Sequence, residues 1–236
     1  MSKHLKAPAG LAVLLALAAG PVLAGDITGT VNYTGKVPNL KPVAMNADPA
    51  CAKKHTTPVA SEALVLGPGN TMANVMVRVK GPVKGSFPPP AKPVVIDQKG
   101  CQYIPHVVGI RVGQTLQLKN SDGLLHNVHA LPKVNTPFNM AMPANRTTAD
   151  TKFGKEEGMF MVKCDVHPWM SAYVGVFSNP FYTVSGKDGK FKISGLPPGT
   201  YDIEAWHEKL GTKTAKVTVA EGKPGSANFS FAPPAK

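Results

Sequence analysis

Lys163-Cys164-Asp165-Val166-His167-Pro168-Trp169-Met170 is the stretch on which the reading of this chain turns. Just before it, Phe160, Val162 and Cys164 alternate with other residues, which places their side chains on one face of a strand that ends here. A thiolate, an imidazole and a thioether then follow one another at Cys164, His167 and Met170. A second imidazole, His126, stands upstream in Asn120-Ser121-Asp122-Gly123-Leu124-Leu125-His126-Asn127-Val128-His129. Two His, one Cys and a weak axial Met are the donor set of a copper site that exchanges electrons. The residues therefore predict a single copper ion on His126, Cys164, His167 and Met170. His129 is not expected to join them, because positions 126 and 129 of one strand face opposite ways.

Outward from that stretch the pattern is all-β. Short alternating runs are separated by Gly, Pro, Asn and Asp, and no sustained helical period appears after the N-terminal leader. Asp26 to Tyr33 is one such run. Asn74 to Lys80 is another, with Val75, Val77 and Val79 on one face and Met76, Arg78 and Lys80 on the other. Further strands are expected at 94–97, 107–112, 114–120, 126–130, 159–164 and 172–177. Leu131 to Glu157, marked by Pro132, Pro137, Pro143 and Gly154, reads as a long functional loop. Strands at 182–185, 190–194, 201–207, 214–220 and 227–231 complete the set, with Lys187-Asp188-Gly189 as a hairpin turn.

Two proline-marked linkers interrupt this succession. Ser86-Phe87-Pro88-Pro89-Pro90-Ala91-Lys92-Pro93 favours a stiff, unpaired segment, and Asn179-Pro180 marks a second break.

The first residues read as an export signal. Lys3 and Lys6 precede the apolar run Leu11 to Ala19, and Val22-Leu23-Ala24 offers small residues for cleavage. The run is too short to span about 30 Å of hydrocarbon, so no transmembrane segment is expected. The chain has a net charge of +12 and stays strongly basic once the leader is removed, which suggests a partner with an acidic surface. Nucleic acid is disfavoured, because the chain is exported and its lysines are scattered rather than interleaved with aromatics. Three cysteines leave one over after a single disulfide. If Cys164 holds metal, Cys51 and Cys101 remain as the pair, and an oxidising compartment such as the periplasm would let them bond. His55, His106 and His207 are isolated and read as ordinary surface or loop histidines. Met159 and Met161 read as packing residues beneath the long loop or between the two halves.

Two resemblances organise these signals. Asp188-Gly189-Lys190-Phe191-Lys192-Ile193-Ser194-Gly195-Leu196-Pro197-Pro198-Gly199-Thr200-Tyr201-Asp202-Ile203-Glu204-Ala205-Trp206 resembles the carboxypeptidase regulatory-like, or transthyretin-like, sandwich. In that family a Gly-flanked strand such as Ile27 to Val31 and a valine-rich strand such as 74–80 pass directly into the hairpin. Here roughly a hundred residues intervene. The expected organisation is a signal peptide over 1–24, one discontinuous sandwich over 25–86 and 181–236, and a second sandwich over 87–180 inserted at exposed turns.

The inserted part resembles the cupredoxins, amicyanin most of all. The Asn120-Ser121-Asp122 to His126-Asn127-Val128 run and Cys164-x-x-His167-x-x-Met170 carry the likeness. The resemblance implies a Greek-key sandwich with Cys164, His126 and His167 as strong ligands and Met170 as the long axial one. It makes Asn127 the residue that steadies the ligand loop. It also implies that His167 lies near the surface with an exposed ring edge, and that Pro168 and Trp169 form part of a docking patch. The function implied is a periplasmic, non-enzymatic carrier of single electrons between redox partners, which are proteins or enzymes of the periplasm. A carrier or sensor that hands on copper itself is the alternative. Multicopper enzymes commonly need His-x-His pairs, and this sequence has none.

Overall fold

A computed structural model describes residues 23–233, and most of the expected export signal lies outside them. The alternating runs become strands of four sheets, and the only α-helix among the described residues is the single turn Pro49–Ala52. One pair of sheets is built from both ends of the chain. Gly25–Tyr33 lies between Lys190–Leu196 and Gly225–Ser226, and also pairs with Phe229–Phe231. Tyr182–Val184, Met76–Lys80, Gly199–His207 and Gly211–Val219 make the facing sheet. Between them lie Ile27, Val31, Val75, Val77, Val79, Ile193, Ile203 and Phe231. Each such fully buried aliphatic or aromatic side chain contributes about 1.5–3 kcal/mol.

The second pair comes from the middle of the chain. Tyr103–Ile104, Val94–Gln98, Thr115–Asn120 and Thr148–Lys152 form one sheet. Val107–Arg111, Ser171–Phe177, Glu157–Lys163, His126–Ala130 and Phe138–Met142 form the other. Their core holds Ile96, Ile110, Leu116, Leu118, Val128, Val162, Val174 and Val176.

The valine-rich strand uses both of its faces, as its alternation requires. Its valines fill the first core, while Met76 joins Val107 and Phe177 in a small cluster between the two halves. It begins at Met76 rather than Asn74, because Asn74 has φ 59°, outside the strand region. Met159 and Trp206 pack against the same cluster, and the Arg78 guanidinium lies 5.0 Å above the Phe177 ring. Arg111 ties the two chain crossings together. Its Nη2 donates to the Phe87 and Ser178 carbonyls and its Nε to that of Phe177, so one buried side chain satisfies backbone acceptors at both proline-marked junctions.

Three expectations change at this level. The 131–157 stretch is not a plain loop: Phe138–Met142 pairs with His126–Ala130, and Thr148–Lys152 pairs with Thr115–Asn120. Pro137 and Pro143 bound the first of these strands rather than preventing it, since proline is excluded from a strand's interior but not from its ends. The segment that follows the first strand reaches the second core. Met45 and Cys51, with Val43, Ala52 and Val59, lie against the second core, on the side of the predicted site.

His106 and His207 are buried rather than on the surface. His106 Nε2 is 2.6 Å from Glu208 Oε1 and its Nδ1 is 3.0 Å from the Ser171 carbonyl, so both ring nitrogens face acceptors in the cleft between the halves. His207 accepts a bond from the Lys209 backbone N–H and faces the Phe231 ring.

Burial holds His207 neutral, lowering its pKa from the ordinary 6.5 to about 4. Between those two values the unfolded chain binds a proton that the folded chain refuses. Stability therefore rises with pH across that window and is lost as pH falls towards 4. The contribution is about 3 kcal/mol at most, at 1.36 kcal/mol per pH unit. His207→Phe is expected to flatten the wild-type difference in unfolding free energy between pH 4.5 and 7, and parallel profiles for the two proteins would refute this.

Candidate metal centre

The site stands at one end of the second sandwich, where His126–Ala130 begins and Glu157–Lys163 ends. Asn120 prepares the position of His126. Its side-chain N–H groups donate to the Leu124 and Met142 carbonyls, both at 2.9 Å, and its Oδ1 accepts from the Asp122 backbone, which fixes the 121–125 turn ahead of His126. The segment from Cys164 to Met170 closes on itself. Cys164 N donates to the Met170 carbonyl at 3.1 Å, and Met170 N donates to the His167 carbonyl at 2.9 Å. Asn127 joins the two segments. Its Oδ1 accepts from Asp165 N at 2.7 Å and Val166 N at 3.3 Å, and lies 3.3 Å from Cys164 Sγ.

His126, Cys164, His167 and Met170 are all buried, the first three with relative exposures of 0, 1 and 2 %. One donor atom from each of His126, Cys164 and His167 lies within 4.8 Å of the others. His126 Nδ1 and His167 Nδ1 are 2.9 Å apart, and Cys164 Sγ is 3.9 Å from His167 Nδ1. Two further triads meet the same distance test, Asp48 with Cys51 and His167, and Cys101 with Asp122 and His126. Their cysteines are bonded to each other, Cys51 to Cys101, so neither can supply a thiolate while the disulfide is intact. Cys164 is the free, buried thiol among the described residues.

The outer edges of the two imidazoles settle how the inner ones point. His126 Nε2 is 3.0 Å from Asp122 Oδ2, and His167 Nε2 is 2.9 Å from Asp48 Oδ2. An ionised carboxylate only accepts, so each Nε2 carries a proton and each Nδ1 turns inward. Two inward nitrogens and a sulfur then share one small buried space. Their lone pairs repel unless a proton or a cation lies among them, and a soft cation suits that donor set. Without metal, a proton on His126 Nδ1 bridges to His167. Burial lowers the His126 pKa, but Asp122 and Cys164 more than offset it and raise it to about 9. Burial pushes the Cys164 thiol up, while His126 and the backbone N–H groups of Asn127, His167 and Val166 bring it down to about 7. Asp122 lies at about 2: burial raises it, and His126, the Cys101 and Gly100 N–H groups and Lys54 outweigh that.

The structure places the other predicted residues as follows. His129 faces away from the site and bonds Asp165 at 2.9 Å. Pro168 is exposed, while Trp169 is half-buried with its indole N–H on the Cys101 carbonyl at 3.2 Å and its ring 5.1 Å from that of His167. The exposed ring edge expected of His167 is absent. The segment carrying Asp48 covers it, held down by the Cys51–Cys101 disulfide, by Lys54 on Asp122 and by His55 on the Gly100 carbonyl.

Asp48 was invisible to sequence reasoning as a site residue. It caps the one-turn helix that bears Cys51, accepting from Ala50 N, and nothing local connects it with position 167. Asp122 was quoted only as part of a run, although its place four residues before His126 was a usable signal.

Comparison with known proteins gives one family match and several structural likenesses. A family model described as the carboxypeptidase regulatory-like domain matches residues 168–232. No curated protein matches the chain in sequence. Among solved structures the chain is similar to a copper-containing nitrite reductase from Thermus scotoductus SA-01, with 22 % identity, 43 % of this chain and 25 % of that one covered, and a TM-score of 0.34. It thus spans about a quarter of that reductase's length. Amicyanin from Paracoccus versutus is 26 % identical over 43 % of this chain and 97 % of its own, with a TM-score of 0.32. A purple cupredoxin from Nitrosopumilus maritimus is 23 % identical over 36 % and 98 %, with a TM-score of 0.30. Among the described residues no helix is long and apolar enough to cross a membrane.

Proposed function

We propose that this chain is an exported mononuclear copper protein of the type 1 kind, which carries single electrons between periplasmic partners and catalyses no reaction of its own. The observation that carries this reading is the buried convergence of His126 Nδ1, His167 Nδ1 and Cys164 Sγ on one space. Met170, buried in the same core, would be the fourth and weakest donor. Copper, when bound, supplies the one-electron couple. The chain supplies rigidity. Asn127 locks the 164–166 backbone, the two bonds between Cys164, His167 and Met170 close the loop, and Pro168 restricts it further. A shell held this way has little to rearrange when charge changes, which keeps transfer fast. Exposed Pro168 and half-buried Trp169 would contribute to the docking patch, and the basic charge suits a redox protein or enzyme with an acidic surface.

Burial also separates this from a protein that hands on the metal. Delivery needs a ligand that an acceptor can reach, whereas here His126 is fully enclosed and His167 is covered by Asp48. Copper-loaded protein is expected to be intensely coloured when oxidised, to bleach reversibly on one-electron reduction, and to keep its metal against a mild chelator. A colourless loaded form would sink the proposal. Rapid loss of copper with no reversible couple would move it to metal transfer.

A further inference from the structure

Both predicted histidine ligands are backed by carboxylates, and the two carboxylates belong to one tied assembly. Asp122 is held by the backbone N–H groups of Gly100 and Cys101, each at 2.7 Å, and by Lys54 at 3.2 Å. Asp48 stands three residues before Cys51, and its Oδ1 accepts from Ala50 N at 2.8 Å, which leaves Oδ2 for His167. The Cys51–Cys101 bond joins these two loops. The Cys51 sulfur lies within 4.8 Å of Asp48 and His167 donor atoms, and the Cys101 sulfur within 4.8 Å of those of Asp122 and His126. Each loop thus presents one carboxylate to one imidazole from outside the site.

On the copper reading above, we propose that Asp48 and Asp122 are positioning residues that hold both imidazoles as Nε2–H tautomers and, through their two negative charges, bias the site towards Cu(II) over Cu(I). A carboxylate behind a histidine fixes its ring and makes its inner nitrogen a stronger donor. The oxidised ion carries one more unit of positive charge than the reduced one, so fixed anions just beyond the imidazoles favour it. Asp48 departs from a merely packing role. It is half-exposed and fills no apolar space, and its free oxygen is spent on His167 alone.

The test compares copper-loaded wild type with Asp48→Asn, Asp122→Asn and, as a charge control on the other core, Asp202→Asn. Asparagine can still accept from Nε2–H through its oxygen but carries no charge. Redox titration should show the preference for Cu(I) rising at least tenfold in each of the first two variants, which for a one-electron couple is about 59 mV. The control should stay at the wild-type value. Ring 15N spectra of the metal-free wild type should show His167 protonated at Nε2 and not at Nδ1. Wild-type potentials in both site variants, or an Nδ1-protonated His167, would overturn the proposal. If the wild type takes up no copper at all, the function proposed above falls, and the metal-free His167 spectrum then decides the positioning role of Asp48 by itself.

Discussion

Replacing Cys164 by alanine is expected to abolish the visible colour of the copper-loaded protein and to weaken copper binding by more than about a hundredfold. Losing only an outer partner of a ligand costs 10–100-fold in metal affinity, and Cys164 is the one thiolate that the site can offer. The loss should be greatest for Cu(I), since sulfur is the donor that prefers the softer ion. Cys164→Ser gives the sharper comparison. Serine nearly preserves shape and can keep the bonds to Asn127 Oδ1 and from His167 N, so the metal-free fold should survive while the colour does not. Absorption spectra and competition with a chelator of known affinity would read both effects. An alanine variant that loads copper and keeps the wild-type colour would show that the sulfur is not a ligand.

The second large effect concerns the staple over the site. Cys51 and Cys101 are 50 residues apart in sequence, and closing a loop of that length restricts the unfolded chain by about 4 kcal/mol on the chain-entropy account. Replacing both cysteines by serine is therefore expected to lower the unfolding free energy by about that amount, measured by denaturant titration. It should also free the Asp48 segment, because three of its anchors, the disulfide, Lys54 and His55, meet the same 100–122 region. The second readout is the rate at which a chelator removes copper. That rate should rise as His167 loses its cover. A variant within about 1 kcal/mol of wild type that surrenders copper no faster would mean that the segment is held without the disulfide and that the cover is independent of it.

Much of the candidate site was legible because its order is local. Cys164, His167 and Met170 sit on one short loop, where chain geometry alone limits how far apart their side chains can be. Period-two alternation puts His126 on the inner face and His129 on the outer one, and the structure keeps them there: His126 is buried and His129 meets Asp165. Cysteine parity left one thiol over from a single disulfide; setting Cys164 aside leaves Cys51 and Cys101, which the structure bonds to each other. Prolines were the weaker guide. They marked the two crossings that Arg111 ties together, yet between 131 and 157 they hid two strands, because a proline beside a strand reads the same as a proline in a loop.

By itself the sequence determined that this protein is all-β, that two kinds of sandwich share one chain, and which donor atoms could meet a metal. Tertiary structure alone decided what lies behind those donors. Asp48 meets His167 across 119 residues, and Glu208 meets His106 across 102. Such encounters leave no period and no fixed spacing in the chain. They arise only when a loop is laid down by a disulfide, as Asp48 is, or when the two halves bury side chains against each other, as Met76, Val107, Phe177 and Tyr173 do beside His106.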